Sequence, residues 1–152
     1  MDRRLQSLKI VKMQEKHIEE ISAIETLCFS VPWSYNALAE ELSNPLAVFI
    51  AALDEQKKVL GYAGMHHIID EGYIANIAVH PDFRRQGIAT ALLQRLDRYS
   101  HENGLALLTL EVRASNAAAI GLYRREGFNE QGIRRGFYQA PSEDAVIMTK
   151  YF

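Results

Sequence analysis

The stretch Ile77-Ala78-Val79-His80-Pro81-Asp82-Phe83-Arg84-Arg85-Gln86-Gly87-Ile88-Ala89-Thr90 runs from an apolar strand into the start of a long helix. Tyr73 to His80 reads as the strand, and Pro81-Asp82 ends it. From Gly87 to Gly104, Ile88, Ala91, Leu92, Arg95, Leu96 and Tyr99 recur at helical spacing, and Gly104 is a helix stop. The junction carries chemistry because a helix N-terminus has free N–H groups and the positive end of the helix dipole. That end suits phosphate. Gly87 lets backbone approach a ligand closely, Ala89 is small, and Arg84 and Arg85 add charged donors. The plainer alternative is a surface turn with two solvated arginines. The chain has no G-x-x-x-x-G-K-[ST] and no G-x-G-x-x-G, so neither a P-loop nor a dinucleotide fold is supported.

Downstream, Leu105 to Val112 is a strand, and Ser115 caps a helix over Asn116 to Glu126 that Gly127 stops. Period-two alternation puts Leu108, Leu110 and Val112 on one strand face and Leu107, Thr109, Glu111 and Arg113 on the other. Asn116 and Tyr123 are two helical turns apart and share a side of that helix. A carboxylate, an amide and a phenol thereby meet near a strand end, where open α/β sheets bind ligands. The alternative is that Glu111 pairs with Arg113 or water, Asn116 only starts the helix, and Tyr123 is core.

Upstream, Leu8 to Met13 is a strand. Ile18, Ile21, Ile24, Leu27 and Cys28 mark a helix over Gln14 to Phe29. After Pro32, Ser34 caps a second helix reaching about Ser43. Val48 to Leu53 and Val59 to Ile69 are strands, and two more follow around Phe128 to Tyr138 and Ala145 to Tyr151. The order is βααβββαβαββ, which reads as a mixed α/β (α+β) domain over residues 1–152. Alternating strands and helices in the second half imply parallel pairing there.

Composition is ordinary for a globular chain: 152 residues, 48% hydrophobic and 24% charged, which excludes disorder and coiled coil. Seventeen Lys and Arg against nineteen Asp and Glu give a net charge of −2, without the basic footprint of a dedicated nucleic-acid binder. The single cysteine, Cys28, forms no internal disulfide and no thiolate zinc site, and it reads as core. His66 and His67 are adjacent in a strand, point to opposite faces and do not chelate one ion, so no metal is expected. Met1-Asp2-Arg3-Arg4 is not followed by an apolar segment, and no run is long enough to span a bilayer. The expectation is a soluble cytoplasmic monomer with no membrane or direct nucleic-acid partner.

Taken together, these segments resemble the GCN5-related N-acetyltransferase superfamily, and within it the ribosomal-protein-alanine N-acetyltransferase branch. Arg84 to Ala89, R-R-Q-G-I-A, fits the superfamily's [QR]-x-x-G-x-[GA] loop, and Ile77 to Pro81 is the strand entering it. E-V-R-A-S-N-A-A-A-I-x-L-Y, from Glu111 to Tyr123 and followed by Gly127-Phe128, matches that branch. Phe29-Ser30-Val31-Pro32-Trp33-Ser34 is similar to its F-P-W-S element, with Val31 as one added residue, and Ala89 stands for the commoner Gly.

The resemblance implies a mixed, mostly antiparallel sheet with a V-shaped splay between two central parallel strands and helices on both faces. It implies acetyl transfer from acetyl-CoA to the N-terminal α-amine of a protein, the N-terminal alanine of a small-subunit ribosomal protein. Ile77, Ala78 and Val79 would pair with the pantetheine arm, while Arg84 and the amides of Arg85, Gln86, Gly87, Ile88, Ala89 and Thr90 would hold the pyrophosphate. Asn116 would be a further CoA contact, Glu111 the general base and Tyr123 the general acid. Trp33, Tyr35 and Tyr138 are expected at the acceptor peptide, though all three also suit packing. An α-amine, with a pKa of about 7.7–8.0 against about 10.4 for Lys, needs only a modest base near neutrality. Other acceptors (lysine, a polyamine, another small amine) and a CoA-binding module without turnover are the competing readings.

Overall fold

A computed structural model describes residues 7–152. The charged N-terminal tetrapeptide, Met1 to Arg4, lies outside the described residues. The chain forms β1 (Lys9–Lys12), α1 (Glu15–Cys28) and α2 (Tyr35–Glu40, continued by a 3₁₀ turn, Glu41–Ser43), then β2 (Ala47–Leu53), β3 (Val59–Ile68) and β4 (Glu71–Val79). A 3₁₀ turn at Pro81–Phe83 leads to α3 (Ile88–Glu102), β5 (Leu107–Arg113), α4 (Ala117–Arg125), β6 (Asn129–Tyr138) and β7 (Glu143–Tyr151). Every expected element is present in the expected order.

Local chemistry explains most boundaries. Ser34 Oγ accepts the Ala37 N–H at 3.1 Å, which starts α2. The cap of α4 differs from expectation: Asn116 Oδ1 takes the Ala119 N–H at 3.1 Å, while the Ser115 N–H goes to Glu143 Oε2 at 2.7 Å. Asn116 reaches the third N–H of the helix because Ser115 is already held by the β6–β7 hairpin.

The seven strands form one sheet in the order β1-β2-β3-β4-β5-β7-β6. All neighbours are antiparallel except β4 and β5. The parallel pairing expected through the second half is thus confined to one pair. The crossover through α4 does not return β6 to β5, because β7 folds back between them and is antiparallel to both.

The one parallel pair is short. Glu71, Gly72 and Tyr73 oppose Leu107, Leu108 and Thr109, and beyond Tyr73 the strands part. From there Ile74 to Val79 pairs only with β3, and Leu110 to Arg113 only with β7. The separation coincides with a bulge: Met65 opposes Ile74 and Gly64 opposes Asn76, so Ala75 is an extra residue. A bulge bends its strand and sharpens the twist. Gly64, across from it, admits the Phe49 ring, which would lie 2.4 Å from any Cβ there.

Two apolar layers cover the sheet. One face buries Leu60, Ala63, Ile74, Leu108, Leu110 and Val112 with α3 and with Tyr123 and Phe128 beside α4. The other buries Phe49, Ala51, Tyr62 and Ala78 against Ile18, Ile21, Ile24 and Leu38 of α1 and α2. On α3 the buried stripe is Ile88, Leu92, Leu93, Leu96 and Ser100, so the expected face is rotated slightly and Arg95 is exposed. On α1 Leu27 is exposed and Glu25 lies within the buried stripe instead. At 100° per residue, Glu25 falls between Ile18 and Ile21 on the wheel and Leu27 falls opposite them.

Candidate active site

The splay between β4 and β5 organises the site, and α3 begins beside it. Arg85 (φ 62°) and Gly87 (φ 80°) both adopt the left-handed conformation, which turns the chain sharply into α3. Among the described residues, none of the backbone N–H groups from Arg85 to Thr90 has a hydrogen-bond partner. Six donors without partners and the positive end of a fifteen-residue helix therefore lie together at this turn. The buried Gln86 Oε1 is also without a partner there. These features suit a pyrophosphate. Arg84 is turned away, with Nε 3.4 Å from the Val79 carbonyl and Nη2 3.3 Å from Cys28 Sγ. Cys28, expected as core, is half-buried at this corner.

Inside the splay, strand alternation decides which β4 groups are available. His80 N–H donates to the Leu60 carbonyl of β3 at 2.8 Å. Neighbouring residues of an antiparallel strand point their N–H groups to opposite sides, so those of Val79 and Ile77 point away from β3, into the gap. The Ile77 N–H is taken by Asn76 Oδ1 at 3.1 Å.

Glu111 stands on β5 just past the last paired position, and only 8% of its side chain is exposed. Tyr73 donates its hydroxyl proton to Oε2 at 2.5 Å, and Arg134 Nε reaches Oε1 at 3.1 Å. Neither Arg113 nor water alone is the partner. Arg113 turns instead to Glu143 Oε1 at 3.2 Å and to the carbonyls of Gln139 and Pro141. Burial, then the bond to Glu111, pushes the Tyr73 phenol well above its ordinary pKa of 10.

Tyr123 is not beside Glu111. It packs with Leu110, Val112 and Phe128, its ring 5.8 Å from that of Phe128, on the sheet face opposite to the one Glu111 occupies. Burial raises the Tyr123 phenol, so it stays protonated through the neutral range. Asn116, whose Oδ1 caps α4, sits at the N-terminal end of the same helix.

Around the mouth, Tyr138 lies over the Arg113 guanidinium at 4.5 Å and edge-on to Phe137. Burial, with the charge of Glu111 next, pushes its pKa up to about 12. Trp33 is half-buried with its ring 5.9 Å from Phe49, and Tyr35 is exposed at the start of α2. The acidic pair Glu143-Asp144 has internal partners. Glu143 binds Ser115 and Arg113, which hold its carboxyl below the usual range, and Asp144 Oδ1 accepts the Gly136 N–H at 2.8 Å.

Sequence reading missed Tyr73, Arg134 and Glu25 as parts of this site. Tyr73 and Arg134 reach Glu111 through cross-strand register, which no local pattern reports. Glu25 was detectable, because a helical wheel places a carboxylate within the apolar stripe of α1. His66 and His67 do point apart, to Glu41 Oε2 at 2.9 Å and to the Tyr99 hydroxyl at 2.8 Å. Among the described residues no cluster of metal-ligating side chains is present, and no helix is long and apolar enough to cross a membrane.

Comparison with known proteins shows the family to which the chain belongs. The sequence profile of the acetyltransferase (GNAT) family matches residues 18–128. The ribosomal protein bS18-alanine N-acetyltransferase of Escherichia coli is 42% identical over 127 residues, covering 82% of this chain and 84% of that protein. Its counterpart in Haemophilus influenzae is 34% identical over 145 residues, covering 93% and 97%. The crystal structure of the Escherichia coli enzyme superposes with a TM-score of 0.87 at 36% identity, covering 95% of this chain and 93% of that one.

Proposed function

Since the chain belongs to the acetyltransferase (GNAT) family and is an acetyl-CoA-dependent N-acetyltransferase, we propose that it acetylates the N-terminal alanine of a small-subunit ribosomal protein, bS18. The acceptor class follows from the relatives' activity. The observation that carries the chemistry is the carboxylate of Glu111, beside the splay and on the face that α1 and α2 leave open.

The donor supplies an acyl group activated as a thioester. The amides of Arg85 to Thr90 hold its pyrophosphate, with Arg84 released from Val79 to join them, and Asn116 flanks it from α4. Ile77, Ala78 and Val79 receive the extended pantetheine arm along the unpaired edge of β4. The acceptor chain enters between Trp33 and Tyr35 on one side and Tyr138 on the other.

Glu111 takes one proton from the acceptor ammonium, directly or through a water, because a protonated amine has no lone pair for attack. Tyr73 and Arg134 keep that carboxylate oriented. The ammonium competes with Arg134 for Oε1, and the arginine, more than half exposed, is free to swing out. The Val79 N–H points at the oxygen on which charge develops, where a fixed donor lowers the barrier most. The amine nitrogen bonds to the thioester carbonyl carbon, the carbon–sulfur bond breaks, and Tyr123, reached from the opposite sheet face, donates its proton to the departing sulfur, while the nitrogen's second proton leaves to water and returns to the phenol. The enzyme needs no covalent intermediate, which leaves Cys28 outside the chemistry. Its place of action is the cytoplasm, where ribosomal proteins are made.

The test is mass-resolved acetylation with acetyl-CoA on two matched peptides. One has a free N-terminal alanine and no lysine; the other has a blocked N-terminus and intact lysines. Acetylation of the first alone is the expected result. Acetylation of the second alone would overturn the α-amine assignment in favour of a lysine enzyme.

A further inference from the structure

Glu25 is fully buried on α1, and its hydrogen bonds reach both sides of the site. Oε1 accepts the Trp33 backbone N–H at 3.3 Å and the Asn76 side-chain amide at 2.8 Å, while Oε2 is 3.1 Å from the same Asn76 nitrogen. The buried Tyr62 hydroxyl lies beside this carboxylate without a hydrogen bond of normal geometry. Asn76 stands at the β4 bulge, and its Oδ1 accepts the Ile77 N–H, one of the two β4 donors that face the splay.

We infer that Glu25 is a positioning residue that locks the acceptor-side loop and the bulged strand of the splay into one geometry. Through Asn76 it keeps the Ile77 N–H satisfied and leaves the Val79 N–H as the inward donor. Through Trp33 it holds the Phe29–Ser34 loop at the acceptor entrance. Both segments share a single oxygen, Oε1, so a shift of one moves the other. An apolar side chain would fill this place without the desolvation cost of a buried carboxylate. The carboxylate instead orients the Asn76 carboxamide at the bulge and the Trp33 backbone amide in the loop before α2. The inference rests on the acetyl-transfer reading of the splay.

Exchange of the two partners tests it. Asn76→Asp sets a second carboxylate against Glu25, whereas the double variant Glu25→Gln/Asn76→Asp restores a donor on one side and an acceptor on the other. Asn76→Ala simply frees the Ile77 N–H. The expected result for Asn76→Asp and Asn76→Ala is a kcat lower by about 10- to 100-fold and a raised acceptor KM, with acetyl-CoA affinity of wild-type order. The double variant regains most of the lost kcat. The inference is overturned if folded Asn76→Ala keeps wild-type kcat and acceptor KM. It is overturned equally if Asn76→Ala does not fold, or if the exchange recovers melting temperature but not turnover, since the network then serves folding alone. A wild type that acetylates only the blocked, lysine-bearing peptide overturns the α-amine reading instead, and the same variants are then compared on that peptide.

Discussion

Tyr73 and Glu111 meet at the vertex of the splay, phenol oxygen to carboxylate oxygen at 2.5 Å, one on each strand of the sheet's single parallel pair. The contact spans the last point at which β4 and β5 are still joined. It ties the orientation of the carboxylate to the opening of the gap, and several expectations derive from that.

Replacing the carboxylate tests its role as base. Glu111→Gln should lower kcat/KM for an alanine-initiated peptide by about 100- to 10,000-fold near neutral pH, with acetyl-CoA binding retained. The deficit should narrow as pH rises, because the free α-amine loses its proton unaided above its pKa of about 8. A pH series of kcat/KM on both proteins measures this, and a deficit independent of pH would contradict a base role.

Removing the phenol tests the vertex contact. The phenol fixes the direction in which the carboxylate faces. Tyr73→Phe should lower kcat/KM for the alanine-initiated peptide by about 10- to 100-fold, with acetyl-CoA affinity of wild-type order. Arg134→Ala should cost less, because the arginine 3.1 Å from Glu111 Oε1 has to leave that oxygen when the amine arrives. Wild-type turnover in Tyr73→Phe would remove the vertex contact from the mechanism.

Tyr123 is held in the core, so its hydroxyl is best tested without disturbing the ring. Tyr123→Phe should keep CoA affinity and melting temperature while turnover falls by about 100-fold or more. Burial keeps the phenol protonated, so the wild-type profile should carry no limb from it below its ordinary pKa of 10. Unchanged turnover in this variant would remove Tyr123 from the mechanism.

Gly87 has φ 80° and open space around it, so a side chain there meets backbone strain and no clash. Gly87→Val should destabilise the fold by about 1–2 kcal/mol or shift the local turn. Either way it disturbs the amides of Arg85 to Thr90, and calorimetry should show acetyl-CoA affinity reduced at least tenfold, on the order of 1.4 kcal/mol. Wild-type affinity would remove the turn from the donor site.

Burial raises the pKa of Glu25 above its ordinary 4.5, with its hydrogen bonds acting in the opposite direction. The folded state then binds more protons than the unfolded one between the ordinary and the raised value, so this group's contribution to stability falls as pH rises through that window. Glu25→Gln removes the titration. Its melting temperature relative to wild type should therefore increase from acid toward neutral pH, and a constant difference would refute the shift.

Much of the site was legible locally. Arg84 to Thr90 announces its open amides by a Gly at a strand-to-helix junction, and strand alternation alone places Glu111 opposite Leu110 and Val112. The cap of α4 falls to Asn116 rather than Ser115, because the hairpin that holds the Ser115 N–H arrives from Glu143, twenty-eight residues later. Leu27 is apolar yet exposed and Glu25 is charged yet buried, because the angle on the helix, not the residue type alone, decides which side chain faces the sheet.

The sequence by itself determined the kinds and order of the elements, the helix ends at Ser34 and Gly104, and the two segments proposed to carry the chemistry. Each of these depends on contacts within a few residues: periodicity, capping and backbone freedom. Only the tertiary structure decided that β7 lies between β5 and β6, and that Tyr73 and Arg134 both reach Glu111. It alone decided that Glu111 and Tyr123 lie on opposite faces of the sheet, and that Glu25 and Asn76 join loop to bulge. Those relations are set by strand register and by one extra residue at Ala75. A period of two or of 3.6 states which face a side chain takes, but not which distant strand lies alongside it.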